Sequence, residues 1–209
     1  MKKICFIFLL SILFKTSYSQ NSLVKAVKLY YRVNPFDRKF SAMLTTVLSD
    51  TGFVKMDMKK RTDSNFFFLS GYYKRFNPFD FKATRTELRL AENEIFVADT
   101  GKLTDTIIIY QLLGVAGTGE DNKEKVRKEF EKFDKRFSYD FSHDDYKQAM
   151  SEGRLSAALR NYYVEGRKIP VMTVAWGKMP GEEYYVFSVT LRLKIIENFA
   201  DLPKTPDEF

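Results

Sequence analysis

Four groups of residues in this chain have the types and spacing from which chemistry is made: a lone histidine, an Arg-Glu-Arg alternation, a glycine-rich stretch and a set of tyrosine pairs. The histidine, His143, stands in Ser142-His143-Asp144-Asp145. A Ser–His–Asp relay needs three side chains that converge in space, and neighbours on one helical turn point apart. The same residues read as a helix start, with Ser142 at N-cap and Asp145 at N3. The cap is the expectation, and a general base is not.

Glu87 is flanked two positions away by Arg85 and Arg89, so a strand would place all three on one face. A carboxylate can serve glycoside hydrolysis when a second one stands at the right distance. With 27 acidic side chains in the chain, nothing singles out that second one. A salt-bridged ladder on a wet sheet face is the plainer expectation. Gly114-x-x-Gly117-x-Gly119 lies between an apolar run and a helical pattern, the setting in which glycine loops cradle phosphate. A phosphate loop closes on Gly-Lys-Ser/Thr, whereas Gly119 is followed by Glu120-Asp121. These carboxylates suit the start of a helix and repel phosphate, so the stretch reads as a connector with Asp121 at N-cap.

Cys5 is the single cysteine and lies within the first twenty residues. With one histidine, a metal site would rest on carboxylates, and no EF-hand-like calcium loop is present in the sequence. No catalytic residue, metal or cofactor is therefore expected. Tyr30-Tyr31, Tyr72-Tyr73, Tyr162-Tyr163 and Tyr184-Tyr185 are the remaining oddity, in a chain that is 16% aromatic. On a strand each pair puts one ring on either face, and rings with polar tips suit sugars and amphipathic ligands. The candidate ligand contacts are Tyr31, Tyr72, Trp176 and Tyr184, each on or beside an expected strand.

These residues need elements to position them. Asn-Pro-Phe-Asp occurs twice, at Asn34–Asp37 and Asn77–Asp80, and seven of ten positions from Tyr30 to Lys39 recur from Tyr73 to Lys82. Proline fixes its own φ and pushes the preceding Asn out of the helical region, so each copy is a corner. After the first, Phe36, Phe40, Met43, Leu44 and Val47 follow the helical stripe. After the second, residues 84–90 suit a strand, so that corner turns a hairpin. Alternation at Leu23, Val27, Leu29, Tyr31 and Val33 suggests a first strand over 22–33. Residues 53–58 read as a short strand and 59–63 as a solvated turn. Residues 65–76 read as a central strand covered on both faces, and 81–97 as its return, interrupted near Glu92-Asn93.

Ile107-Ile108-Ile109-Tyr110 marks a strand over 104–114, and Val126, Phe130, Phe133 and Phe137 mark a helix over 122–137. Two further helices are expected, from Asp144 and over 154–163. Pro180-Gly181 then turns a final hairpin, whose strands bury Met172, Val174 and Trp176 against Tyr185, Phe187, Val189 and Leu191. The expected fold is α+β, a single domain with a mostly antiparallel sheet of about six or seven strands and a helical block before the C-terminal hairpin.

Residues 1–19 read as a secretory signal peptide: Lys2 and Lys3, an apolar stretch from Ile4 to Phe14, then Ser17-Tyr18-Ser19. The domain is expected over 20–200, with a frayed tail over 201–209. Losing Lys2, Lys3 and Lys15 takes the net charge from +7 to +4, a mixed surface without the clustered stripe of nucleic-acid binders. No other apolar run has the roughly 18 residues of a membrane span. Together these features imply a periplasmic or extracellular, non-catalytic domain that binds a small apolar or sugar-like ligand or an envelope protein. A secreted carboxylate-dependent hydrolase is the alternative.

Overall fold

The structure is a computed structural model that describes residues 22–35, 40–61, 66–96, 103–151, 154–164, 169–179 and 181–194. The expected leader and tail lie outside the described residues. Among the described residues, one antiparallel sheet of nine strands carries three helices, an α+β arrangement. In chain order the elements are α1 (22–30), α2 (Phe40–Leu48), β1 (Phe53–Arg61), β2 (Phe66–Tyr73), β3 (Arg85–Phe96), β4 (Leu103–Gly117), α3 (Glu120–Phe137), β5 (Ser142–His143), β6 (Lys147–Ser151), β7 (Arg154–Tyr163), β8 (Met172–Lys178) and β9 (Tyr185–Lys194). The order across the sheet is β1-β2-β3-β4-β9-β8-β7-β5, with β6 also on β7. The final hairpin thus closes the sheet by laying β9 beside β4.

The register explains where the core sits. Leu69, Leu90, Tyr110, Leu191, Met172 and Tyr162 stand opposite one another across six strands. All six are buried. Residues two apart on a strand share a face, so this row and its neighbours form one continuous apolar face, and the helices pack on it. Phe40 of α2 meets Phe67 edge-on at 5.5 Å. Phe133 of α3 packs on Tyr162 and Phe187. Tyr30 of α1 packs on Phe133 and Phe187.

Several expectations hold. In α2, Phe40, Met43, Leu44 and Val47 are buried as the stripe required. In α3, Val126, Phe130, Phe133 and Phe137 are buried. The β8–β9 hairpin pairs Trp176 with Phe187 and Val174 with Val189. Gly181 at φ 77° takes the left-handed position of a type II turn. The second corner joins β2 to β3 as a hairpin connection. There the Asn77 side chain donates to the carbonyls of Phe79 and Phe81.

Others are corrected. Residues 22–30 are a helix, not a strand: Ala26, Val27 and Tyr30 are buried while Leu29 is exposed, so the 3.6-residue period prevails over the alternation. The two helices expected beyond residue 143 are strands β5, β6 and β7, which raises the strand count to nine. Leu155 and Leu159 have helical spacing, but pairing of β7 with β8 on one side and β6 on the other outweighs local propensity. Strand β3 runs through Glu92-Asn93 without a break, and β1 continues through Lys59 to Arg61. Strand β2 lies one place in from the sheet edge rather than at its centre.

Two expected caps are also absent. Gly119 is the N-cap of α3 at φ 88° and gives no side-chain cap, in place of Asp121. Ser142 and His143 belong to a strand, so the expected helix start there does not exist.

Candidate functional site

The second face of the sheet is built by the residues that alternate with the core. Its middle row reads Ser70, Arg89, Gln111, Thr190, Thr173 and Asn161, six polar side chains opposite one another across β2, β3, β4, β9, β8 and β7. With strands about 4.8 Å apart, such a row extends for about 24 Å across the sheet. Gln111 Nε2 donates to Thr190 Oγ1 at 3.2 Å, and Thr173 Oγ1 donates to Asn161 Oδ1 at 2.7 Å. Arg192 reaches in from the adjacent row to donate to Thr173 Oγ1 at 2.6 Å. Its burial lowers its pKa from the ordinary arginine value. Thr173, Thr190 and Ser70 are buried, whereas Arg89, Gln111 and Asn161 are half-buried. Short hydroxyl side chains form a floor between longer ones.

On either side of this polar row lie rows of mixed character. One holds Tyr72, Glu87, Leu113 and Ser188; the other holds Phe68, Ala91, Ile109 and Arg192. Phe68 and Tyr72 are half-buried rings four positions apart on β2, on this face and on either side of Ser70. The helices described above pack on the opposite face.

Glu87 is the most enclosed polar residue here, only 1% exposed. Arg89 Nη2 donates to its Oε2 at 2.8 Å. Arg85 Nη2 lies against Oε1 as an ion pair without hydrogen-bond alignment. The Arg-Glu-Arg ladder expected from sequence therefore exists, but its carboxylate is buried rather than wet. Arg85 and Arg89 stand four residues, about 13 Å of strand, apart, and both lean toward the carboxylate between them. Arg89 also contacts the Met179 sulfur at 3.9 Å. Met179 follows β8, which lies beyond β4 and β9 from β3. The β8–β9 turn therefore bends over this face and bounds it at one end.

The four residues singled out from sequence fall in different places. Tyr72 lies on this face, directly opposite Glu87. Tyr184 is exposed in the β8–β9 turn, and its carbonyl accepts the Met179 N–H. Tyr31 and Trp176 lie in the core on the other side. The Tyr31 hydroxyl donates to the carbonyls of Tyr110 and Val189, and its ring stacks on Tyr110 at 4.7 Å. Trp176 is 2% exposed. Sequence reasoning missed the polar row, because its six members come from strands scattered between residues 70 and 190. The signal was present only as hydroxyl and amide residues at alternating positions.

Two further carboxylates, Asp134 and Glu129, serve the core face. Asp134 of α3 accepts from Arg160 at 2.6 Å, from Tyr162 at 2.8 Å and from Tyr146. The Arg160 guanidinium lies 3.5 Å from the centre of the Tyr146 ring. Glu129 accepts from the Tyr30 hydroxyl and the Asp80 N–H, both at 3.0 Å, which ties α3 to α1 and to the second corner. Burial is the main cause that raises the Glu129 pKa above the ordinary carboxylate value. His143 is exposed, with Nδ1 3.2 Å from the Asp144 carbonyl. Asp144 accepts from Asn161 and then Tyr163, which lowers its pKa. Among the described residues, no three of His, Cys, Asp and Glu gather as a metal-ligating group. Nor is any described helix long and apolar enough to cross a membrane. The chain matches no protein-family model, no curated protein and no solved structure.

Proposed function

We propose that this chain is an exported, non-catalytic binding domain that holds a sugar-like ligand along the polar row of its second sheet face. The observation that carries the reading is the row itself: Ser70, Arg89, Gln111, Thr190, Thr173 and Asn161 in unbroken cross-strand register. A face that only meets water has no need of hydroxyls sunk between longer side chains. A ligand rich in hydroxyls can exchange hydrogen bonds with such a row. The half-buried rings of Phe68 and Tyr72 beside it supply apolar surface for sugar faces. Export follows from the expected leader over 1–19, and intact-mass measurement of the secreted protein tests it.

The binding reading is tested by titrating the purified protein with neutral and acidic oligosaccharides and following heat or tyrosine fluorescence. Thr173→Val and Thr190→Val keep the strand shape and remove hydroxyls from the row. Saturable binding to a glycan, weakened at least about tenfold in the double variant, is the expected result. Undiminished binding in that variant would place the ligand elsewhere. Release of new reducing ends by the wild type, abolished by Glu87→Gln, would replace the reading with a hydrolase.

A further inference from the structure

Resting on that reading, we infer that the ligand carries a carboxylate, as in a chain of uronic acid residues, and that Arg85 and Arg89 receive it. Four successive rows across β2, β3, β4 and β9 hold three arginines, Arg85, Arg89 and Arg192, against the single carboxylate of Glu87 among their described side chains. This part of the face is thus net positive. The nearby Asp57 and Lys59 on β1 pair with each other and cancel.

The geometry of the pair points the same way. Glu87 is buried and draws both guanidinium groups inward, while the Arg85 and Arg89 side chains remain 45% and 36% exposed. Each guanidinium has five N–H donors in a fixed fork. One edge of each turns to Glu87, and the rest of the fork is available to a planar anion from solvent. Arg89 is also a member of the polar row, so a carboxylate bound there would belong to a ligand whose hydroxyls lie along Gln111 and Thr190. Tyr72, opposite Glu87 and half-buried, offers its ring beside the same position. A neutral sugar would use the row and leave the positive charge unanswered; a uronate uses both.

The test compares tri-galacturonate with its trimethyl ester, which has the same ring and hydroxyls without the charge. For the wild type, the acid binds at least about tenfold more tightly than the ester, as expected of charge-assisted bonds to arginine. In Arg85→Gln and in Arg89→Gln that preference shrinks toward one. A measurement on the wild type alone covers the case in which a variant fails to fold. Raising NaCl from about 0.02 to about 0.5 M weakens the acid several-fold more than the ester, because screening acts on the charge. Equal binding of acid and ester, with equal salt dependence, overturns the carboxylate inference and leaves the glycan reading standing. No saturable binding of either probe or of any neutral oligosaccharide overturns both.

Discussion

Glu87 and Arg89 stand two positions apart on β3 and meet at 2.8 Å, yet the carboxylate side chain is 1% exposed and the guanidinium side chain 36%. The pair is asymmetric in what each partner loses when the other is removed. Taking away Glu87 leaves arginines that water can solvate. Taking away both arginines leaves a buried charge with nothing to offset it.

That asymmetry sets the first prediction. Arg85→Leu combined with Arg89→Leu destabilises the fold by about 3 kcal/mol, the cost of an orphaned buried charge. Glu87→Leu costs about 1 kcal/mol or less, since Arg85 and Arg89 are partly exposed and turn to water once the carboxylate is gone. Urea denaturation of both variants gives the comparison, and equal losses would show that Glu87 is reached by solvent.

Asp134 is the hub between α3 and β7, where it receives Arg160, Tyr162 and Tyr146. Asp134→Ala strands the buried Arg160 and a buried phenol together, at a cost of about 3–5 kcal/mol. Replacing both members of the ion pair, as Asp134→Leu with Arg160→Met, costs less than the single change. A double-mutant cycle by equilibrium unfolding checks the order.

Glu129 gives a dependence on pH. Its folded pKa lies above the unfolded value through burial, so the native state binds its proton more tightly. Stability therefore rises as pH falls through the folded pKa, and the gain is complete below the ordinary carboxylate value. Glu129→Gln removes this contribution. The stability of the wild type relative to that variant should increase between about pH 7 and pH 4, as followed by thermal melts across that range.

Gly71 on β2 faces the core side, where an added Cβ would lie 2.3 Å from the Phe53 ring and 2.5 Å from the Val54 carbonyl oxygen. The ring can move but the carbonyl belongs to the β1 ladder. Gly71→Ala is expected to cost about 2–3 kcal/mol, at the upper end of overpacking. Phe53→Ala in the same chain does not restore the loss. Denaturation midpoints of the single and double variants decide it, and full rescue would show that the ring alone was the obstacle.

Periodicity was legible wherever one period stood alone and a turn signal bounded it. The stripe of α3, the Ile107-Ile108-Ile109 run of β4 and the alternation from Tyr185 to Leu191 next to Pro180-Gly181 are of that kind. Residues 22–30 fit both a two-residue and a 3.6-residue period, and only the packing of Tyr30 and Val27 against the sheet separates them. Arg154–Tyr163 has the composition of a helix, and its partners on β6 and β8 make it a strand.

The Arg85-Glu87-Arg89 alternation was readable because a strand places residues two apart on one face, a local consequence of backbone geometry. That Glu87 is enclosed was not readable, since its cross-strand neighbours are Tyr72 and Leu113 and its partner Arg89 is met by Met179 from a turn two strands away. Local order in the chain thus determined most helices and strands and the one ionic motif that now anchors a binding proposal. The closure of β9 onto β4 decided the rest. It alone brings Thr190 opposite Gln111 and turns isolated polar positions into a continuous row, because strand pairing joins residues whose separation along the chain leaves no local trace.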